Sequence, residues 1–211
     1  MDSASARAYK ALHDGILDGT YPTEEMLGET SLATELGVSR TPVRAALARL
    51  QDEGWITIFP KRGALVRGLT DREVTDLAEA RLILESSSVE RTSPHSQLRL
   101  AEKLVLSIEE QRAAFQARDL KRFIELTLAF HRAFVEIGGN GVLLDLNDRL
   151  ADRQRFLLFS YGEKLLARCA EIISEHEELV EQLRTGSSTA FAHTLHSHLA
   201  STYAAPLRET T

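Results

Sequence analysis

The stretch that decides the reading of this chain is Leu36-Gly37-Val38-Ser39-Arg40-Thr41-Pro42-Val43-Arg44-Ala45-Ala46-Leu47, closed by Asp52-Glu53-Gly54-Trp55. A turn at Gly37 feeds a helix capped at Ser39, and Gly54 stops it. Arg40 and Arg44 stand at i and i+4, so both guanidinium groups share one face near the N-terminal end. A guanidinium can donate two hydrogen bonds to guanine O6 and N7, and each such pair is worth about 1–3 kcal/mol of base discrimination. Val43, Leu47 and Leu50 repeat on another face at helical spacing, which predicts packing on the preceding helix. A helix of this kind suits end-first entry into the DNA major groove.

The flanks extend the reading. Trp55-Ile56-Thr57-Ile58-Phe59 is rich in β-branched and aromatic residues, Pro60-Lys61-Arg62-Gly63 has turn chemistry, and Ala64-Leu65-Val66-Arg67 returns as a second strand. A two-stranded wing with two cations at its tip is suited to a phosphate backbone or a minor groove. Upstream, Ser5 to Leu17 predicts a first helix and Ser31 to Leu36 a short second one. Residues 1–68 therefore read as a winged helix-turn-helix.

Charge is distributed to match. The chain is acidic overall, at net −6. Residues 38–68 nevertheless carry Arg40, Arg44, Arg49, Lys61, Arg62 and Arg67 against only Asp52 and Glu53. A net positive balance is confined to the predicted reading surface, as docking on phosphates requires.

From Leu27-Gly28-Glu29-Thr30-Ser31-Leu32-Ala33 through Arg62-Gly63-Ala64-Leu65-Val66, the segment resembles the winged-helix domain of GntR-type bacterial transcriptional regulators. The resemblance implies operator contacts by Ser39, Arg40, Thr41, Arg44, Lys61, Arg62 and Gly63. Three positions depart from the family's pattern. Thr23-Glu24 replaces a Pro-Gly turn, Ala45-Ala46 replaces a pair containing glutamate, and Thr30 stands where some members carry a DNA-reading arginine.

Residues 69–70 read as a linker and residues 71–211 as a second domain. Thr70-Asp71-Arg72-Glu73 has the spacing of a capping box, and the period beyond it is helical with almost no strand signal. Helices are predicted near 70–91, 96–117, 119–137, 142–161, 163–185 and 187–205, punctuated by Pro94, Gly138-Gly139-Asn140-Gly141, Gly162 and Gly186. The fold class is mainly α: a winged helix followed by an all-helical antiparallel bundle, an architecture that builds ligand and metal sites between facing helices.

Three histidines lie in apolar stripes of three different helices. His131 accompanies Phe123, Phe130 and Phe134; His176 lies among Ile172, Ile173, Leu179 and Val180; His198 lies among Phe191, Leu195, Leu199 and Tyr203. Each alone reads as a hydrogen-bonded core histidine, whereas one shared divalent cation would satisfy all three. His13, His95, His193 and His196 lack this placement.

The second half resembles the FCD effector domain of FadR-like GntR regulators, in a six-helix, VanR-like form. The similarity lies in Thr70 to Glu73, Ala80 to Glu85, Ala129-Phe130-His131-Arg132, Glu175-His176 and His198-Leu199. It implies a homodimer, a small carboxylate effector, and a divalent metal (Zn, Ni or Mn) on His131, His176 and His198. The family's fourth ligand is an aspartate one helical turn before the first histidine, and that position is Thr127. Two arrangements fit these residues. In one, three imidazoles hold the metal and water or an effector carboxylate completes the shell; in the other, the pocket is metal-free. Arg81 is the first candidate for the anionic effector, with an i+4 ion pair to Glu85 as its alternative role. Arg132 and Arg153 are further candidates.

Other classes fit less well. An enzyme, such as a metallohydrolase on the three histidines, would lack the His-Glu-x-x-His pattern, since position 180 is valine. Gly138 to Gly141 follow no strand, which argues against a phosphate loop. A nucleoid-architectural protein would leave the inward histidines unexplained. The single Cys169 excludes an internal disulfide. No signal-peptide core or membrane-length apolar run occurs, so the expected location is the bacterial cytoplasm, on the nucleoid when DNA is bound.

Overall fold

The computed structural model describes residues 3–204. Two compact units divide between Leu69 and Thr70. In the first, helix α1 (Ala4–Leu17) starts under a hydrogen bond from Ala6 N–H to Ser3 Oγ and buries Leu12, Ile16 and Leu17. Strand β1 (Met26–Leu27), α2 (Glu29–Glu35), α3 (Arg40–Asp52), β2 (Ile56–Phe59) and β3 (Gly63–Val66) follow. Val43, Leu47 and Leu50 of α3 are at most 2 % exposed. Helix α3 packs on α1 as well as on α2, so the rear support is broader than the preceding helix alone.

The sheet has three antiparallel strands in the order β1-β3-β2. The sequence reading anticipated only two. Met26–Leu27 is too short to show alternation, and its partners Leu65 and Ala64 lie far along the chain. Gly63 explains the tight join. Its φ is +122°, and a Cβ there would stand 2.5 Å from the carbonyl oxygen of Leu27. Only glycine lets β1 approach the wing this closely. The α2 start also differs: the helix begins at Glu29, which places a carboxylate in its first turn.

The second unit contains, among the described residues, six helices: α4 (Asp71–Glu90), α5 (Pro94–Gln116), α6 (Leu120–Glu136), α7 (Gly141–Tyr161), α8 (Glu163–Thr185) and α9 (Ser188–Ala204). Thr70 and Glu73 form the expected reciprocal capping box. Pro94 opens α5 where a break was expected, because its fixed φ and missing N–H suit the first turn of a helix. Gly186, with φ +68°, ends α8. Phe123, Phe130, Phe134, Phe191, Ile172 and Ile173 form the fully buried centre of the bundle. Each contributes about 1.5–3 kcal/mol of transfer free energy on burial. Helices α5, α6, α8 and α9 pack in the chain α6·α5·α8·α9, and α4 lies on both α6 and α9.

Candidate metal centre and DNA-reading face

The first candidate site is the outer surface of the winged helix. Ser39 sits in extended geometry at the N-cap of α3, but its hydroxyl makes no capping bond, contrary to the expectation of a side-chain cap. Ser39, Thr41, Lys61 and Arg62 are all exposed. Arg40 and Arg44 share one face, as their spacing predicts, and their side chains are 56 % and 61 % exposed. Both are tied to a residue the sequence reading left without a role. Glu29 Oε2 accepts from Arg40 Nη2 at 3.0 Å and from Arg44 Nε at 2.7 Å. These two hydrogen bonds hold the Glu29 carboxyl below its ordinary range.

The second candidate site is inside the bundle. Helices α6, α8 and α9 bring His131, His176 and His198 together with one ligand atom from each within 4.8 Å of the others. All three rings are buried. Their Nδ1 atoms face acceptors: Glu85 Oε2 at 2.7 Å from His131, Gln111 Oε1 at 2.7 Å from His176, and Glu175 Oε2 at 2.6 Å from His198. Those acceptors place the ring protons on Nδ1, and the Nε2 lone pairs then converge. His131 Nε2 and His198 Nε2 are 3.2 Å apart, and His176 Nε2 is buried with no partner.

Two lone pairs that close repel unless a proton on one ring, forming an N–H···N hydrogen bond, or a metal cation lies between them. Nitrogens about 2.0–2.1 Å from one tetrahedral ion would lie roughly 3.3 Å from each other. The His131–His198 pair matches that spacing, and an all-imidazole donor set suits a borderline divalent cation. Stacking holds the rings in place, with Phe130 on His176 at 4.2 Å and His131 on His198 at 5.1 Å between centroids.

Beside the imidazoles is a cavity of only about 10 Å³, lined by Arg81, Thr127, His131, His198 and Thr202 and by an apolar wall that includes Phe123, Leu158 and Ile172. That volume accepts one water-sized sphere and no metabolite. Arg81 Nη2, Thr127 Oγ1 and Thr202 Oγ1 are buried without hydrogen-bond partners. The rest of the Arg81 guanidinium is committed, through Nε to Glu85 at 2.9 Å and through Nη1 to the Tyr203 hydroxyl. Its ion pair with Glu85 and its position on the cavity thus occur together.

The sequence model of the FCD domain matches residues 76–201, and that of the bacterial regulatory proteins of the gntR family matches residues 4–66. The chain belongs to the GntR family and carries an FCD domain. It is 26 % identical over 200 residues to the gluconate operon transcriptional repressor of Bacillus licheniformis, covering 93 % of this chain and 82 % of the relative. It is 27 % identical over 194 residues to the HTH-type transcriptional repressor RspR of Escherichia coli, covering 89 % and 83 %. Among solved structures, a GntR transcriptional regulator from Rhodococcus sp. RHA1 shares the fold with a TM-score of 0.79 at 20 % identity, each chain fully covered. E. coli McbR/YncC does so at 0.74 and 22 %, again with both chains fully covered.

Two expected effector residues of this GntR–FCD chain lie away from the cavity. Arg132 is partly exposed on α6 and is engaged by Asp148, at 2.7 and 3.0 Å, and by Glu136. Arg153 is half-buried on α7 and does not line the cavity. Arg132 adjoins His131 in sequence, but its side chain turns from the centre to Asp148. Conversely, Glu85, Gln111, Glu175 and Tyr203 belong to the centre and were not anticipated as its supports. A faint signal was available in Gln111, a polar residue within the apolar stripe of α5 that is fully buried. Another was Glu175, directly before a stripe histidine.

Burial, reinforced by Arg81 and His198, holds His131 and His176 well below the ordinary histidine value of 6.5. The unfolded chain protonates these rings as pH falls through about 6.5 while the folded chain does not. The stability they contribute is complete above that value and lost below it. Urea unfolding of chelator-treated protein is expected to show stability falling toward acid, with a slope approaching about 1.4 kcal/mol per pH unit for each ring. A midpoint that held steady or rose over that window would contradict neutral buried rings.

Proposed function

We propose that this chain is a ligand-responsive bacterial transcription regulator. Its homodimer binds a palindromic operator through α3 and the wing, and its helical unit senses a small carboxylate beside a divalent metal. DNA binding and regulation rest on the family. The finer reading rests on one observation above all: one ring nitrogen from each of three buried histidines lies within 4.8 Å of the others, each ring being oriented by its own Nδ1 acceptor. We read it as a regulator's sensor and not a catalytic centre, since the relatives are named as transcriptional regulators. The proposed location is the cytoplasm, and no helix among the described residues is long and apolar enough to cross a membrane.

His131, His176 and His198 would hold the metal, which supplies a positive charge able to attract a carboxylate oxygen. No carboxylate stands among these ligands, because Thr127 brings a hydroxyl where the family pattern has one, and the nearest negative charges are Glu85 and Glu175 behind the rings. The anionic effector is then the natural counter-charge, with Arg81 Nη2 and the Thr127 and Thr202 hydroxyls as unused donors. A metabolite enters only if helices lining the cavity move apart. Effector affinity for that expanded packing is the free energy available to alter DNA binding. A two-fold dimer mirrors an inverted repeat in the operator.

The test is elemental analysis of untagged protein purified without chelator. Near one equivalent of Zn, Ni or Mn per chain is expected, and almost none in His176→Ala. Zinc or nickel is favoured over manganese because the donors are imidazoles. Protein that remains metal-free on dialysis against these ions would overturn the metal reading and leave a pocket disabled for metal by Thr127.

A further inference from the structure

We infer that Glu29 is a positioning residue for DNA reading: its carboxylate holds the Arg40 and Arg44 guanidinium groups side by side before DNA arrives. The inference rests on the proposed base-reading role of those two arginines. One oxygen, Oε2, accepts from both. Arg44 is gripped through Nε, so both of its Nη groups remain available as the end-on fork that matches guanine O6 and N7. Arg40 is gripped through Nη2, which keeps Nε and Nη1 uncommitted. Long arginine side chains lose rotamer freedom when they dock, and a carboxylate that has already ordered them reduces that loss.

A purely structural role accounts poorly for the contact. The arginines are more than half exposed and Glu29 is 28 % exposed, a setting in which ion pairs add little to folding stability. A carboxylate on the surface that must meet phosphates also weakens non-specific attraction. Its value lies in discrimination: arginines held by Glu29 are less free to swing onto a phosphate of any sequence. The wing provides a contrast within the same groove. Lys61 and Arg62 line it with Glu29, and neither forms an ion pair among the described residues. The groove therefore carries two kinds of cation, a pair oriented by Glu29 and a pair free to follow the backbone.

The experiment first selects duplexes from a random library with the wild-type full chain. It then measures affinity for the selected duplex and for a shuffled duplex at one fixed salt concentration. Glu29→Gln and the Arg40→Ala/Arg44→Ala double variant are compared with wild type, with thermal unfolding in parallel. For Glu29→Gln we expect an unchanged melting temperature and a selected-to-shuffled affinity ratio lower by about tenfold, the scale of ordering two arginine side chains. Part of that change should appear as tighter binding to the shuffled duplex. If the double variant collapses the ratio while Glu29→Gln preserves or raises it, the positioning role is overturned and base reading stands. If wild type selects no consensus, the base-reading proposal beneath the inference is itself overturned.

Discussion

Replacing Arg40 and Arg44 together by alanine is expected to weaken binding to a selected operator by at least about thirtyfold, given about 1–3 kcal/mol for each lost bidentate contact. Binding to random duplex should fall much less. Ser39 and Thr41 remain exposed at the start of α3, and Lys61 and Arg62 remain on the wing tip to meet phosphates. Fluorescence anisotropy over a series of salt concentrations separates the two losses, because the phosphate component varies steeply with salt and base contacts do not. Folding should be unaffected, since Val43, Leu47 and Leu50 hold α3 from its buried side. Operator affinity that survived both substitutions would remove α3 as the reading helix.

The second large effect concerns stability. Glu85→Ala is expected to cost about 3–5 kcal/mol of unfolding free energy, because it strands a buried guanidinium. Arg81 is 4 % exposed and Glu85 0 %, and Glu85 bridges Arg81 to His131 Nδ1. Burial pushes the Glu85 carboxyl up, against the pull of Arg81. Burial likewise opposes the charge on Arg81, but Glu85 and the Tyr203 hydroxyl outweigh it and raise the guanidinium further. The two shifts favour opposite states of the pair. We assign the ionised pair at neutral pH, since a neutral Glu85 would leave a guanidinium uncompensated in the core.

Denaturant titration of Glu85→Ala, compared with Arg81→Met/Glu85→Leu, checks this. The double variant should recover much of the loss, because a matched apolar pair carries no buried charge. A cost below about 1 kcal/mol for Glu85→Ala would mean that water reaches the pair and that its burial is incomplete.

The DNA-binding unit was legible in one dimension because its chemistry is local. The Gly37 turn, the i, i+4 arginines and the Gly54 stop all fall within a short run, and so does the wing turn at Pro60 to Gly63. Six bundle helices could be counted for the same reason, since caps and breakers act over a turn or two. The three histidines were visible as inward residues because helical period reports facing. The ring partners were not. Glu85, Gln111 and Glu175 lie 46, 65 and 23 residues from the imidazoles they orient. Glu29 is 11 and 15 residues from its arginines and on another helix.

Sequence alone therefore determined which residue types were available, which helices would form, and that imidazoles and arginines would be presented on given faces. Tertiary packing alone decided which of them meet. It joined Glu29 to both Arg40 and Arg44, put Arg81 on the cavity, and turned Arg132 outward to Asp148. It also closed the cavity to the size of a single water. The reason is physical. Period fixes the angular phase of a side chain about its own helix, whereas contact depends on crossing angle and axial offset, which are set by ridges and grooves of helices distant in the chain.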